Sequence, residues 1–260
     1  MWLLSAAIFS GCKWLTWRRT FAPGAQWWQH AGYLFAWPGL DANAFLSSKS
    51  LPLNEPVHAG EWVIGAVRLI LGVALFWGWA GWVYDDHEIT FGWLGMIGLI
   101  LMLHFGAFHL LSCAWRRFGI DARPLMNRPL SSVSVGEFWG RRWNTAFRDL
   151  THRFLFRPLN SRVGPRWAIL VGFVFSGFIH DVVISVPAGG GYGGPTLFFG
   201  TQALAMFAER SRAGRTIGLG RGWRGRLFVM LTLILPAYVL FHPPFVRNII
   251  MPFMHALGVH

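Results

Sequence analysis

Long apolar runs separated by short polar stretches dominate the chain. Four of them, at 62–84, 90–114, 167–186 and 227–245, approach the ~20 residues that a helix needs to cross a ~30 Å hydrocarbon core. A fifth, at 195–208, is shorter and reads as crossing only in part. The first dozen residues are apolar but too short to be more than a weak candidate. Residues 14–61 mix Arg, Pro, Gly and Trp and read as interfacial and loop structure. Together the runs predict an all-α, polytopic transmembrane protein. It is expected to form one membrane domain over 1–260, without internal repeats.

One segment has a different period. "SVGE" at 134–137 is a capping-box pattern that opens a helix near Val135, and Pro158 is expected to close it. Within it Trp139, Trp143, Phe147, Leu150 and Phe154 recur at helical steps and draw one apolar stripe. Arg141, Arg148 and His152 lie off the stripe, and Asp149 is spaced to pair with Arg153. An aromatic face with a basic back describes an amphipathic helix lying in the membrane interface.

Composition agrees with this picture. Only 13% of the 260 residues are charged and 54% are hydrophobic, with 16 Trp and 23 Phe. A soluble domain carries roughly 25% charged residues. The net charge of +12 comes from 21 Arg against two Lys. Residues 115–166 hold eleven Arg against Asp121, Glu137 and Asp149, and residues 209–226 hold six Arg against Glu209. The two spans between these basic loops return the chain to one side, which the positive-inside rule makes cytoplasmic. "PAGGGYGGP" is uncharged and "YDDHE" at 84–88 is acidic, as the opposite side requires. Positive charge confined to such loops points to lipid headgroups or a soluble anion as partner, not to nucleic acid. "FSGC" at 9–12 lacks the basic residues that precede a signal-peptide core. The two cysteines, Cys12 and Cys113, read as small buried side chains.

Candidate chemistry concentrates in two places. Asn144 ends "EFWGRRWN" at the edge of the stripe, either as an interfacial polar residue or as an amide that holds a carbonyl or fixes an imidazole. His180 and Asp181 lie within the span at 167–186. Ionisable groups at that depth cost several kcal/mol unless paired or hydrated, so they mark function by default. Burial disfavours the imidazolium, which leaves a neutral ring able to accept a proton. Asp181 points about 100° away from its neighbour on a helix and faces something else. Ser176 and Gly177, one turn earlier, leave room for a close neighbour or a substrate. His104 and His109 lie about 140° apart around a helix, poorly placed to share a metal, and read as pocket-lining or helix-bonding residues. No HExxH, cysteine-rich or phosphate-loop pattern occurs, so no metal is expected, and the glycine-rich stretch reads as a flexible turn.

"SVGEFWGRRWN" followed by "FVFSGFIHD" resembles the wax-synthase branch of the membrane-bound O-acyltransferases. The likeness is most specific over 115–186, and "YLFAWPGLDANAFL" and "LHFGAFHLL" resemble bacterial members. The resemblance implies transfer of a fatty acyl group from acyl-CoA to a hydroxyl, typically of a long-chain alcohol, at the inner membrane of a bacterium. It places the family's histidine on His180 and its asparagine on Asn144, with no cofactor beyond the acyl-CoA co-substrate. Arg141 and Arg142 become candidates for the coenzyme A phosphates or for lipid headgroups. Trp143, Ser176, Asp181, His104 and His109 are candidates for lining the substrate site. Other acceptors, namely sterol, diacylglycerol or a polyketide hydroxyl, stay open. So do two readings outside catalysis, a silent membrane scaffold and a transporter with His180 and Asp181 as proton relay. The transporter reading lacks the repeated halves it predicts.

Overall fold

The computed structural model describes residues 1–47, 57–79 and 88–259, and the regular elements among them are all helices. The acidic stretch expected on the outer side lies almost wholly outside the described residues. Among the described residues, four helical stretches are long and apolar enough to cross a membrane: Ala59–Trp79, Glu88–Arg117, Thr145–Ala188 and Gly222–Leu240. Each contains or largely overlaps one of the four predicted runs. The fifth run forms a 17-residue helix, Gly194–Arg210. The apolar start, expected to be a weak candidate, is a helix of the same length, Trp2–Arg18.

The packing divides the chain into two compact units, Ala6–Met126 with Met254–His260, and Met1–Ser5 with Asn127–Phe253. In the first, helices α1 (Trp2–Arg18, which enters this unit at Ala6), α2 (Trp27–Ala36) and α3 (Ala42–Leu46) precede α4 (Ala59–Val73), α5 (Glu88–Ile100) and α6 (Phe108–Arg117). Small residues let backbones close up. A Cβ on Gly72 would lie 2.5 Å from the Met102 nitrogen, and one on Gly106 2.8 Å from the Leu69 Cα. Lys13 is buried on α1, donating to the carbonyls of Trp37 (2.7 Å) and Gly39 and standing 3.6 Å from the Tyr33 ring centre. Burial pushes its ammonium down to about 7. Within 14–61, expected to be interfacial and loop structure, Trp27–Ala36 and Ala42–Leu46 are thus short helices beside a buried amine, while residues 48–56 lie outside the described residues.

The second unit starts with a short helical turn, α7 (Val135–Glu137), which widens into a π-type turn at Phe138–Arg142. Helices α8 (Thr145–Thr151), α9 (Arg157–His180), α10 (Gly194–Arg210), α11 (Arg212–Thr216) and α12 (Gly222–Ile234) follow. The single interfacial helix expected from Val135 to Pro158 is not formed. The chain leaves the helix at Trp143 (φ −99°, ψ 126°), and Asn144 then takes a left-handed conformation (φ 42°, ψ 63°). Asparagine tolerates that region better than most residues, because its short polar side chain can bond locally. Pro158 does not end a helix either. It follows directly on a π-type turn, His152–Phe156, and the helical stretch runs on through it. The break comes instead at Gly164 (φ 80°, ψ 167°), just before Pro165. The predicted stripe is therefore cut in two. Trp139 and Trp143 pack on a core of Val135, Phe138, Ala205, Met206 and Val229, whereas Phe147 is exposed.

Candidate active site

The "EFWGRRWN" segment is anchored at its start. Ser134 Oγ accepts from Glu137 N (2.9 Å), as the capping pattern predicts. The reciprocal bond differs, for Glu137 accepts from Val133 N (2.9 Å) and pairs with Arg142 (2.6 Å). Burial alone would raise the Glu137 carboxyl, but the Val133 and Arg142 bonds hold it below the usual range. A second carboxylate, Glu209 at the end of α10, is 6% exposed and accepts from Val135 N (2.7 Å) and Gly136 N (2.9 Å). Two amides at a helix start are thus closed by an acid from 74 residues away. At the other end of the segment, Asn144 begins α8, its Oδ1 accepting a long bond from Phe147 N (3.5 Å).

His180 ends α9. Its Nδ1 lies 2.7 Å from the carbonyl of Ser176. A carbonyl can only accept, so Nδ1 carries the proton and Nε2 keeps its lone pair. The ring packs 4.5 Å from that of Phe199 on α10. Phe199 also meets Trp139 (5.4 Å), Trp139 meets Phe138 (5.0 Å), and Phe138 stacks on Trp143 (5.5 Å). Trp139, in the segment that precedes Asn144, and the imidazole of His180 therefore meet on one ring, Phe199. Gln202, fully buried one turn after Phe198, accepts from the Trp139 indole (3.3 Å) and donates to the Thr232 carbonyl (2.7 Å). That fixes the indole in place.

The remaining expected residues have varied placements. Ser176 meets His180 through its backbone, and Gly177 allows α10 to approach, a Cβ there lying 2.6 Å from the Thr196 Cα. Asp181 faces away from His180, toward the start of α10. Arg142 is turned onto Glu137 and the carbonyls of Asn127 and Arg128 (both 3.3 Å), while Arg141 is exposed. Asp149 pairs with the adjacent Arg148 (2.7 Å). His104 and His109 belong to the other unit, where His104 Nδ1 and His109 Nε2 are buried without a hydrogen-bond partner. There Glu61, His109 and Cys113 bring three donor atoms within 4.8 Å of one another. The Arg116 guanidinium, however, already holds Glu61 (2.6 Å) and reaches Cys113 Sγ (3.5 Å). The guanidinium thus engages two of the three donors, and the trio reads as an ion-paired cluster.

Sequence reasoning missed Glu209, Gln202, Ser185 and His242. Glu209 and Gln202 carried a usable signal, as polar residues facing inward from the apolar run "LFFGTQALAMFAER". His242, near the end of the apolar run at 227–245, was not singled out.

Residues 122–201 match the model of the membrane bound O-acyl transferase family. The chain is 30% identical over 144 residues to the probable long-chain-alcohol O-fatty-acyltransferase 9 of Arabidopsis thaliana, covering 50% of this chain and 42% of that protein. It is 37% identical over 73 residues to the long-chain-alcohol O-fatty-acyltransferase of Simmondsia chinensis, covering 25% and 20%. The acyl-CoA–sterol O-acyltransferase 1 of Arabidopsis thaliana matches at 30% over 71 residues, covering 25% and 21%. The chain spans under half the length of these curated relatives. No solved structure matches it. The stretch that holds both Asn144 and His180 is thus the one in which this integral membrane protein is similar to the membrane bound O-acyl transferases.

Proposed function

We propose that the protein transfers a fatty acyl group from acyl-CoA to a lipid hydroxyl, a long-chain alcohol first of all, giving a wax ester. The observation that carries this reading is the fixed tautomer of His180. A ring whose Nδ1–H is held by Ser176 offers Nε2 as a base inside a membrane-spanning segment. In the proposed step Nε2 takes the hydroxyl proton as the alcohol oxygen attacks the thioester carbonyl. The carbon–sulfur bond then breaks, and the proton passes to the departing thiolate. Asn144 donates to the developing oxyanion, a contribution of a few kcal/mol when preorganised, since the Ser176 carbonyl already orients the imidazole. Apolar substrates suit a site reached from the membrane, and the exposed Arg141 suits a coenzyme A phosphate. We place the loops 115–166 and 209–226 on the cytoplasmic side of a bacterial inner membrane, where acyl-CoA is found. The similarity to a sterol acyltransferase keeps sterol as the second acceptor to test.

The experiment compares membranes holding the wild type with membranes holding His180→Ala. Both receive labelled palmitoyl-CoA with fatty alcohols, diacylglycerol and sterol, and the neutral lipids are then separated. A labelled ester made only by the wild type supports the reading and names the acceptor. Equal ester formation by correctly inserted His180→Ala refutes His180 as the base.

A further inference from the structure

Asp181 stands next to the proposed base, yet its carboxylate serves another element. Oδ1 accepts from Ser185 Oγ (2.9 Å) and Gly193 N (2.8 Å). Oδ2 accepts from Thr196 N (3.0 Å) and Thr196 Oγ1. Gly193 is the cap residue of α10 and has no side chain to close the helix start, so Asp181 supplies that cap from a different helix.

A second arm reaches Asp181 through Ser185. His242 Nδ1 accepts from Phe245 N (3.2 Å), so its ring proton is on Nε2, 3.1 Å from Ser185 Oγ. His242 therefore donates to Ser185, whose own hydroxyl hydrogen goes to Asp181; the Gly191 carbonyl also lies 3.2 Å from Ser185 Oγ. Gly191 lies so close to the His242 ring that a Cβ there would sit 2.2 Å from it. The glycine-rich turn is thus pinned, contrary to the flexible turn expected from its composition.

The pinned end of α10 is the end that meets His180. Phe199, which packs on the imidazole, follows Thr196 by three residues and lies on the neighbouring part of the same helical face. Resting on the acyl-transfer reading above, we infer that Asp181 is a positioning residue for His180. It acts through α10 and the Phe199 ring and takes no part in proton transfer. A relay role is disfavoured by geometry, since four donors surround the carboxylate and His180 Nδ1 is held by Ser176.

The test is a double-mutant cycle on ester formation, with Asp181→Asn, Phe199→Leu and the double variant in membranes. Asparagine keeps the shape but turns an N–H₂ toward groups that donate. Turnover in Asp181→Asn is expected to fall about a hundredfold, the scale of a misplacement near 1 Å, while KM for palmitoyl-CoA changes little. Phe199→Leu is expected to lower turnover in the same way. The double variant then falls no further than the worse single, because both changes remove one constraint. Losses that multiply would overturn the inference, as would full turnover in Asp181→Asn. If Asp181→Asn fails to insert, Thr196→Val takes its place in the cycle, since it removes one donor and keeps the backbone bond. A wild type whose ester formation survives His180→Ala would defeat the underlying reading. A His180-dependent enzyme with multiplying losses would defeat this inference alone.

Discussion

Replacing Asn144 by glycine, aspartate and alanine separates its backbone role from a chemical one. At φ 42° and ψ 63° a residue with a Cβ and no local compensation is strained by roughly 1–2 kcal/mol. Loss of the Oδ1 cap on Phe147 N adds about 1 kcal/mol for alanine but only a few tenths for glycine. Asn144→Ala should therefore destabilise the second unit by about 2–3 kcal/mol. Glycine should stay close to wild type, and aspartate keeps both the cap and some tolerance of the left-handed backbone. The cap uses the amide oxygen, so Nδ2 is the end that would meet an oxyanion. Glycine and aspartate both lack that donor, and each should lower turnover by about 10²–10³ despite a sound fold. Thermal unfolding in detergent and ester formation from labelled palmitoyl-CoA provide the two readouts. Asn144→Gly with wild-type turnover would show that the asparagine is there for its backbone, and the oxyanion role would fall.

Three further outcomes follow from the anchors around the site. Glu209→Gln leaves one of the Val135 and Gly136 amides facing an N–H₂ group. It should destabilise by about 1–3 kcal/mol and lower turnover, which unfolding and initial-rate measurements would check. Gly191→Ala forces a Cβ into the His242 ring at a left-handed backbone position (φ 70°), so it should impair both stability and turnover; an unaffected protein would contradict the pinned turn. The Glu137 carboxyl is held below its ordinary value of 4.5 in the fold, so its contribution is fully present above that value and lost as pH falls through the lowered one. Wild type should thus lose stability on acidification below about pH 4.5 more steeply than Glu137→Gln, read as the difference between their unfolding temperatures at each pH.

The membrane spans were legible because each depends on a length and a composition that the bilayer imposes, whatever the packing. The break at Asn144 was not, because helical periodicity continued through it. "RRWNTAF" keeps the spacing of an amphipathic helix even though one residue adopts a left-handed backbone. Proline misled for a related reason. Pro158 signals the end of a regular helix, but it follows a π-type turn and the helical stretch continues past it, which only the fold reveals. Arg142 looked like a ligand for phosphate because of its neighbours in sequence. Its partner is Glu137, five residues back, across the π-type turn that the pattern did not reveal.

His180 and Asp181 illustrate how far residue type alone can be read. Two ionisable residues in one apolar span suggest a single dyad, but adjacent side chains on a helix diverge by about 100°. Each must then be satisfied by a different neighbour. His180 turns its Nδ1 to its own helix and its face to Phe199, while Asp181, opening the π-type turn Asp181–Ser185, reaches the start of α10. Both contacts meet on one helix, at Phe199 and Thr196, three residues apart. The base and the acid are therefore coupled through α10 and not through a bond to each other. That is why a substitution at Asp181 should disturb turnover although Asp181 carries no proton in the proposed step.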